Sequence, residues 1–189
     1  YFSTAISFIG VLTFIPGIMV QTVAPLLVKY KKENVQRYEI ESQRIMNIAT
    51  WSTMILCIIL SALSYYIIKY TYGMEYIASV PVMQILTFKA VGIALATTGG
   101  QLIIIENIHQ IAFIRNILTC IVCVLFNYLF IPQWGIIGSA WATIVTVMFS
   151  GGLANLFIPP YHHIFKKQCK ALFGGWKDLV HIGVMLKRQ

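Results

Sequence analysis

Two cations and a band of small polar side chains interrupt an otherwise apolar chain. Lys89 lies in the stretch Val80–Ile105, nine residues from its start and sixteen from its end. A helical rise of 1.5 Å per residue puts it about 13 Å from the nearer end. An ammonium at that depth in hydrocarbon costs at least about 2.5–3.5 kcal/mol, so it must face water, an anion or a counter-charge. It could attract an anionic head group, form an interhelical ion pair, or stay buried and neutral. Gly92, Ala96 and Gly100 share its side of the helical wheel. This small-xxx-small stripe lets a second helix approach closely.

A second constellation follows. Arg115, Asn116, Thr119, Cys120, Cys123 and Asn127 occupy one arc of a helix whose other positions are Ile, Leu, Val, Phe and Tyr. Ser139, Thr143, Thr146 and Ser150 repeat the pattern on the next helix. Polar sides of membrane helices turn to the bundle interior or to water. Lys89, Arg115, Asn116, Thr119, Asn127, Ser139 and Thr143 are therefore the candidate lining of a substrate cavity, with no catalytic residue among them. Hydrogen bonding between helices explains the hydroxyls and amides equally well. Arg115, one turn from a helix end, also suits an anchor that snorkels to the interface.

Other reactive types carry less. Cys120 and Cys123 have metal-pair spacing but lack a second pair or a nearby His, so neither metal nor any other cofactor is expected. His162 and His163 read as interfacial and His109 as solvated. There is no nucleotide-binding loop, no zinc-protease motif and no nucleophile elbow, and the six acids do not pair within a span. An enzyme is not expected. Pro16 falls mid-helix, where it removes a hydrogen bond and can act as a hinge.

These residues need long helices to hold them. Of 189 residues, 58% are hydrophobic and 11% charged, with mean hydropathy +0.77. Soluble domains average about 45–50% apolar and about 25% charged, which excludes an ordinary soluble globule. About 20 apolar residues span a bilayer as a helix. Five stretches meet that length: 1–28, 45–68, 80–105, 111–131 and 136–158. None alternates like a barrel strand. The fold expected is all-α, a polytopic membrane helix bundle over residues 1–158 with a basic tail over 159–189. Pro132–Gly135 leaves room only for a tight turn, so its flanking spans should be antiparallel neighbours.

Charge orients the bundle. Lys29–Arg44 holds five basic residues, the segment after Ile158 holds six, and Arg115 follows the 106–110 link. The connections on the other side hold only Lys69. The positive-inside rule makes the basic side, and with it Gln189, cytoplasmic. The net charge of +8 is thereby accounted for by topology, and a nucleic-acid partner is not expected. The chain opens at Tyr1 without Met, and five spans starting outside are an odd number, so at least one upstream helix is expected.

Three blocks carry a family resemblance. Tyr1–Ala5 (YFSTA) is followed by Phe14–Pro16 and Pro25; Tyr72–Leu86 reads YGMEYIASVPVMQIL; Asn127–Thr143 reads NYLFIPQWGIIGSAWAT. Together they resemble the C-terminal half of the lipid-linked oligosaccharide flippases that export O-antigen and capsule repeat units. These belong to the superfamily that also holds the multidrug extrusion transporters and the lipid II flippase. The 106–110 link departs from the family's usual Gly-Arg/Lys turn. The resemblance implies helices eight to twelve of a two-lobe, twelve-helix transporter in a bacterial inner membrane. It implies a substrate of undecaprenyl-pyrophosphate-linked oligosaccharide, contacts with membrane lipids, and other membrane proteins of polysaccharide assembly as partners. A drug or cation antiporter of the same superfamily would more naturally use mid-span carboxylates, and none occurs here. A non-catalytic structural membrane subunit is the alternative from another class.

Overall fold

A computed structural model describes residues 2–71, 73–176 and 178. All regular structure among them is helical. Helix α1 spans Phe2–Glu33 and α2 spans Val35–Thr71. A 3-10 turn over Met74–Ser79 leads into α3 (Val80–Thr87) and α4 (Lys89–Ile105). Helix α5 covers Ala112–Gly151, and α6 covers His162–Gly174.

Asn34 alone separates the first two helices. Its side-chain oxygen accepts the Arg37 N–H at 3.0 Å, the contact of an N-cap, and its own N–H reaches the Tyr30 carbonyl at 2.8 Å. Lys31 and Lys32 occupy the last turn of α1, where cations complement the helix dipole. The basic segment 29–44, a connection by its charge, is thus helical nearly throughout. At 37 residues α2 is about 55 Å long, well beyond a hydrocarbon core of about 30 Å. Its first turns project past the apolar stretch.

The third expected span is broken. The Phe88 and Val91 N–H groups bond three residues back, to Ile85 and Phe88. The Thr87 carbonyl is left to the Cys57 thiol, which donates to it at 3.2 Å. Such a 3-10 step inside a helix relaxes its i to i−4 ladder. Nothing in the local residue types announces it.

Helix α5 holds the fourth expected span from Ala112 on and the fifth only as far as Gly151, where the helix ends short of the expected Ile158. Gly135 adopts φ 54° and ψ −127°, a left-handed conformation that β-carbon sterics make costly for other residues. The helix breaks there, and the chain doubles back so closely that a Cβ on Gly138 would strike the Phe130 carbonyl. Beyond the break, Ala140 joins Ile68, Val82, Met83 and Leu86 in a core cluster. The segment before it leaves Phe113, Ile117, Ile121, Val124 and Tyr128 exposed.

Four helical runs are long and apolar enough to cross a membrane: Thr13–Glu33, Val35–Thr71, Val80–Ile105 and His109–Leu156. Five stretches are expected from sequence; the last run holds two of them. Exposed apolar surface on this scale is compatible with lipid as the solvent.

After α5, short 3-10 turns over Leu153–Leu156 and Pro159–Tyr161 lead back to the end of the bundle formed by Glu33, Val35 and Ile105, called here the basic end. Helix α6 starts there and packs inward. Ile164 and Ala171 join Leu27, Tyr38, Met46, Leu102, Ile103, Ile158 and Tyr161 in the largest core cluster. Gln168 is buried in the same interface. Its amide donates to the Leu95 and Gly151 carbonyls at 3.0 and 2.5 Å, and its oxygen accepts from Asn155 at 3.0 Å. Residues 159–176, part of what composition marks as a tail, are thus built into the bundle.

Candidate functional site

One residue of α1 leaves a gap toward α4. Pro16 is buried within the helix, and Gly17 after it has no side chain to fill the space toward α4. One turn on, Gln21 faces the same space. Across from it, Thr97 and Gln101, also one turn apart, come from α4, with Gly100 between them. His109, Ala112 and Arg115 close the side formed by the start of α5. The resulting cavity is about 420 Å³ and opens near the basic end.

Its electrostatics are one-sided. Among the described residues, Arg115 supplies the one permanently charged side chain of the lining, and no carboxylate belongs to it. The Arg115 Nε is buried without a hydrogen-bond partner among the described residues. A buried donor on a charged group that lacks an acceptor is costly; Arg115 as a whole is half-buried and lines the cavity, where its charge suits an anion. Tyr161 stands near enough for the guanidinium to favour its ionised form, although burial dominates and pushes its phenol up. The Tyr161 hydroxyl donates to the Ile108 carbonyl at 2.9 Å, which fixes the loop beneath the cavity.

The other expected lining residues lie elsewhere. Lys89 is half-buried at the first turn of α4, just past the Phe88 break, and does not line this cavity. No ion pair to it occurs among the described residues. Asn116 is exposed and Ser139 half-buried. Thr119 and Thr143 donate to the carbonyls one turn back, Arg115 and Ser139, at 2.9 and 2.8 Å. Asn127 likewise donates to the Cys123 carbonyl at 2.8 Å. These bonds satisfy the Thr119 and Thr143 hydroxyls and the Asn127 amide nitrogen within their own helices.

The glycine stripe divides. Gly92 and Ala96 meet α5: a Cβ on Gly92 would fall 2.8 Å from Val147 Cγ1. Gly100 has open space instead and belongs to the cavity. Its neighbour Gly99 makes the close contact, against Gln168. Gln21, Thr97 and Gln101 were not singled out by sequence reasoning. Their one signal is spacing: each polar residue recurs one turn from a glycine or another polar residue on an apolar helix.

A charged network seals the basic end beside the cavity. Glu106 accepts from the Tyr38 hydroxyl at 2.9 Å and pairs with His163 at 2.5 Å. Lys31 donates to the Ile105 carbonyl at 2.8 Å. The ends of α1, α2, α4 and α6 are thereby tied together. No group of His, Cys, Asp or Glu suited to a metal occurs among the described residues. No family model, curated protein or solved structure matches this chain.

Proposed function

We propose that this chain is a transport lobe of a lipid flippase. In this reading it moves undecaprenyl-pyrophosphate-linked oligosaccharide from the cytoplasmic to the outer leaflet of a bacterial inner membrane. The basic end faces the cytoplasm.

One observation carries the reading: Arg115 lines a cavity with no carboxylate among its described lining residues. Guanidinium pairs with phosphate oxygens through short charge-assisted hydrogen bonds. Gln21, Thr97 and Gln101 add neutral groups able to bond sugar hydroxyls or phosphate. A cation antiporter would need the opposite charge in this place. The cavity lies near the end where a cytoplasmic-leaflet substrate would be loaded, and the exposed apolar flank of α5 suits a polyprenyl chain.

The test is complementation in cells that depend on this protein for surface polysaccharide, with membrane levels measured in parallel. Arg115→Ala should lower surface polysaccharide at least tenfold at normal protein level, and Arg115→Lys should restore part of it. Normal polysaccharide in the alanine variant would refute the role of the cavity.

A further inference from the structure

A cavity of about 950 Å³ lies between the first turns of α2 and helix α6. It is separate from the Arg115 cavity. We propose that it binds the phosphate head group of an anionic phospholipid. The inference rests on the membrane placement of the reading above, not on its cargo.

The charge ledger of the groove leaves cations over. Lys167 is buried between the Glu39 carboxylate and the Ser42 hydroxyl, both at 2.8 Å, with the Tyr38 ring beneath it. His163 is held by Glu106. Asp178 takes a hydrogen bond from Asn47. Arg44, Lys166 and Lys170 remain, and none has a carboxylate within ion-pair distance among the described residues. Neutral Asn47 leaves the Asp178 carboxylate charged, so three unpaired cations face one carboxylate, and the net positive groove matches an anionic head group.

The surroundings match a lipid rather than a soluble anion. Ile40, Arg44, Asn47, Trp51, Ile55 and Ile58 recur at helical spacing along one stripe of α2. The charged part of that stripe lines the groove, while Ile55 and Ile58 beyond it are exposed. An acyl chain leaving the groove therefore has an apolar track. Trp51 sits at the junction, donating to the Ala171 carbonyl at 2.9 Å. Phe173 is 84% exposed and Trp176 49% exposed at the far end of α6, after Lys166 and Lys170. Cations followed by exposed aromatic rings are the pattern of a helix at the membrane interface.

The test uses the full chain in vesicles, with Trp134→Phe and Trp141→Phe leaving Trp51 and Trp176 as reporters. Brominated phosphatidylglycerol and brominated phosphatidylcholine are compared as quenchers at equal mole fraction. The phosphatidylglycerol should quench more strongly. Its preference should fall about fivefold for each cation replaced in the series Arg44→Gln, Lys166→Gln, Lys170→Gln. Arg44→Lys with Lys166→Arg and Lys170→Arg should keep it, which separates charge from misfolding. Equal quenching by the two lipids, or a preference that survives the triple Gln variant, would overturn the proposal. Loss of the preference on adding inorganic phosphate at constant ionic strength would overturn it in favour of a soluble-anion site. No quenching by either lipid would overturn it together with the membrane placement.

Discussion

Gly151 lies directly on the backbone of Gly92. A Cβ on Gly151 would fall 2.5 Å from the Gly92 carbonyl oxygen, and one on Gly92 would fall 2.8 Å from Val147 Cγ1. The second half of α5 and the first half of α4 therefore touch main chain to main chain, which only small residues permit.

Leucine at either position should separate the two helices. Gly92→Leu and Gly151→Leu are each expected to destabilise the purified protein by about 1–3 kcal/mol, the usual penalty of overpacking. Gly100→Leu should leave stability unchanged, because open space surrounds it. Thermal unfolding in detergent checks all three. Equal loss at Gly100 would contradict the division of the stripe.

That division shows where sequence reasoning reaches and where it stops. Spacing identifies a small-residue stripe, but one residue of helical phase decides which glycine meets a neighbour, and phase depends on α6 packing. Gly99 touches Gln168 because α6 returns into the bundle. Its Lys166, Lys167 and Lys170 read as part of a basic tail, and no local signal reveals that Glu39 and Ser42 bury Lys167. Long helices and turn glycines are local properties, hence legible: Gly135 breaks α5 where the Pro132–Gly135 turn is expected. The break at Phe88 is not, since its freed Thr87 carbonyl is satisfied by Cys57 from another helix. The cavity is tertiary too. Of the residues expected to line one, it gathers Arg115 alone, with Gly100 from the packing stripe.

Gln168 is expected to hold α6 in place. Gln168→Leu would leave the Leu95 and Gly151 carbonyls and the Asn155 amide without their bonds. Each buried group so abandoned costs about 1–3 kcal/mol. Limited proteolysis should cut the α5–α6 connection faster in this variant than in the parent. Identical cleavage rates would show that α6 is held by other contacts.

Orientation is open to direct labelling. Met74 lies in the 3-10 turn at the end away from Glu33, and Asn34 lies at the basic end; both are exposed. Single cysteines at these positions, in a background with the four native cysteines replaced, should differ in intact cells. An impermeant maleimide should label position 74 and spare position 34. Labelling at 34 would reverse the topology.

Lys89 and Arg115 should behave differently. Lys89 has no ion-pair partner among the described residues and does not line the cavity. Lys89→Ala should therefore keep normal membrane levels and lose less transport than Arg115→Ala. A drop in abundance would reveal a counter-charge for Lys89.

The central claim is that Arg115 engages a pyrophosphate, and reconstitution tests it most directly. The protein is placed in proteoliposomes with a fluorescent polyprenyl-pyrophosphate oligosaccharide, and transfer between leaflets is followed by protection from an impermeant quencher. The account predicts rapid transfer by the parent, loss of at least tenfold in Arg115→Ala, and partial recovery in Arg115→Lys. Transfer at the parent rate by Arg115→Ala, in vesicles holding equal amounts of folded protein, would contradict it.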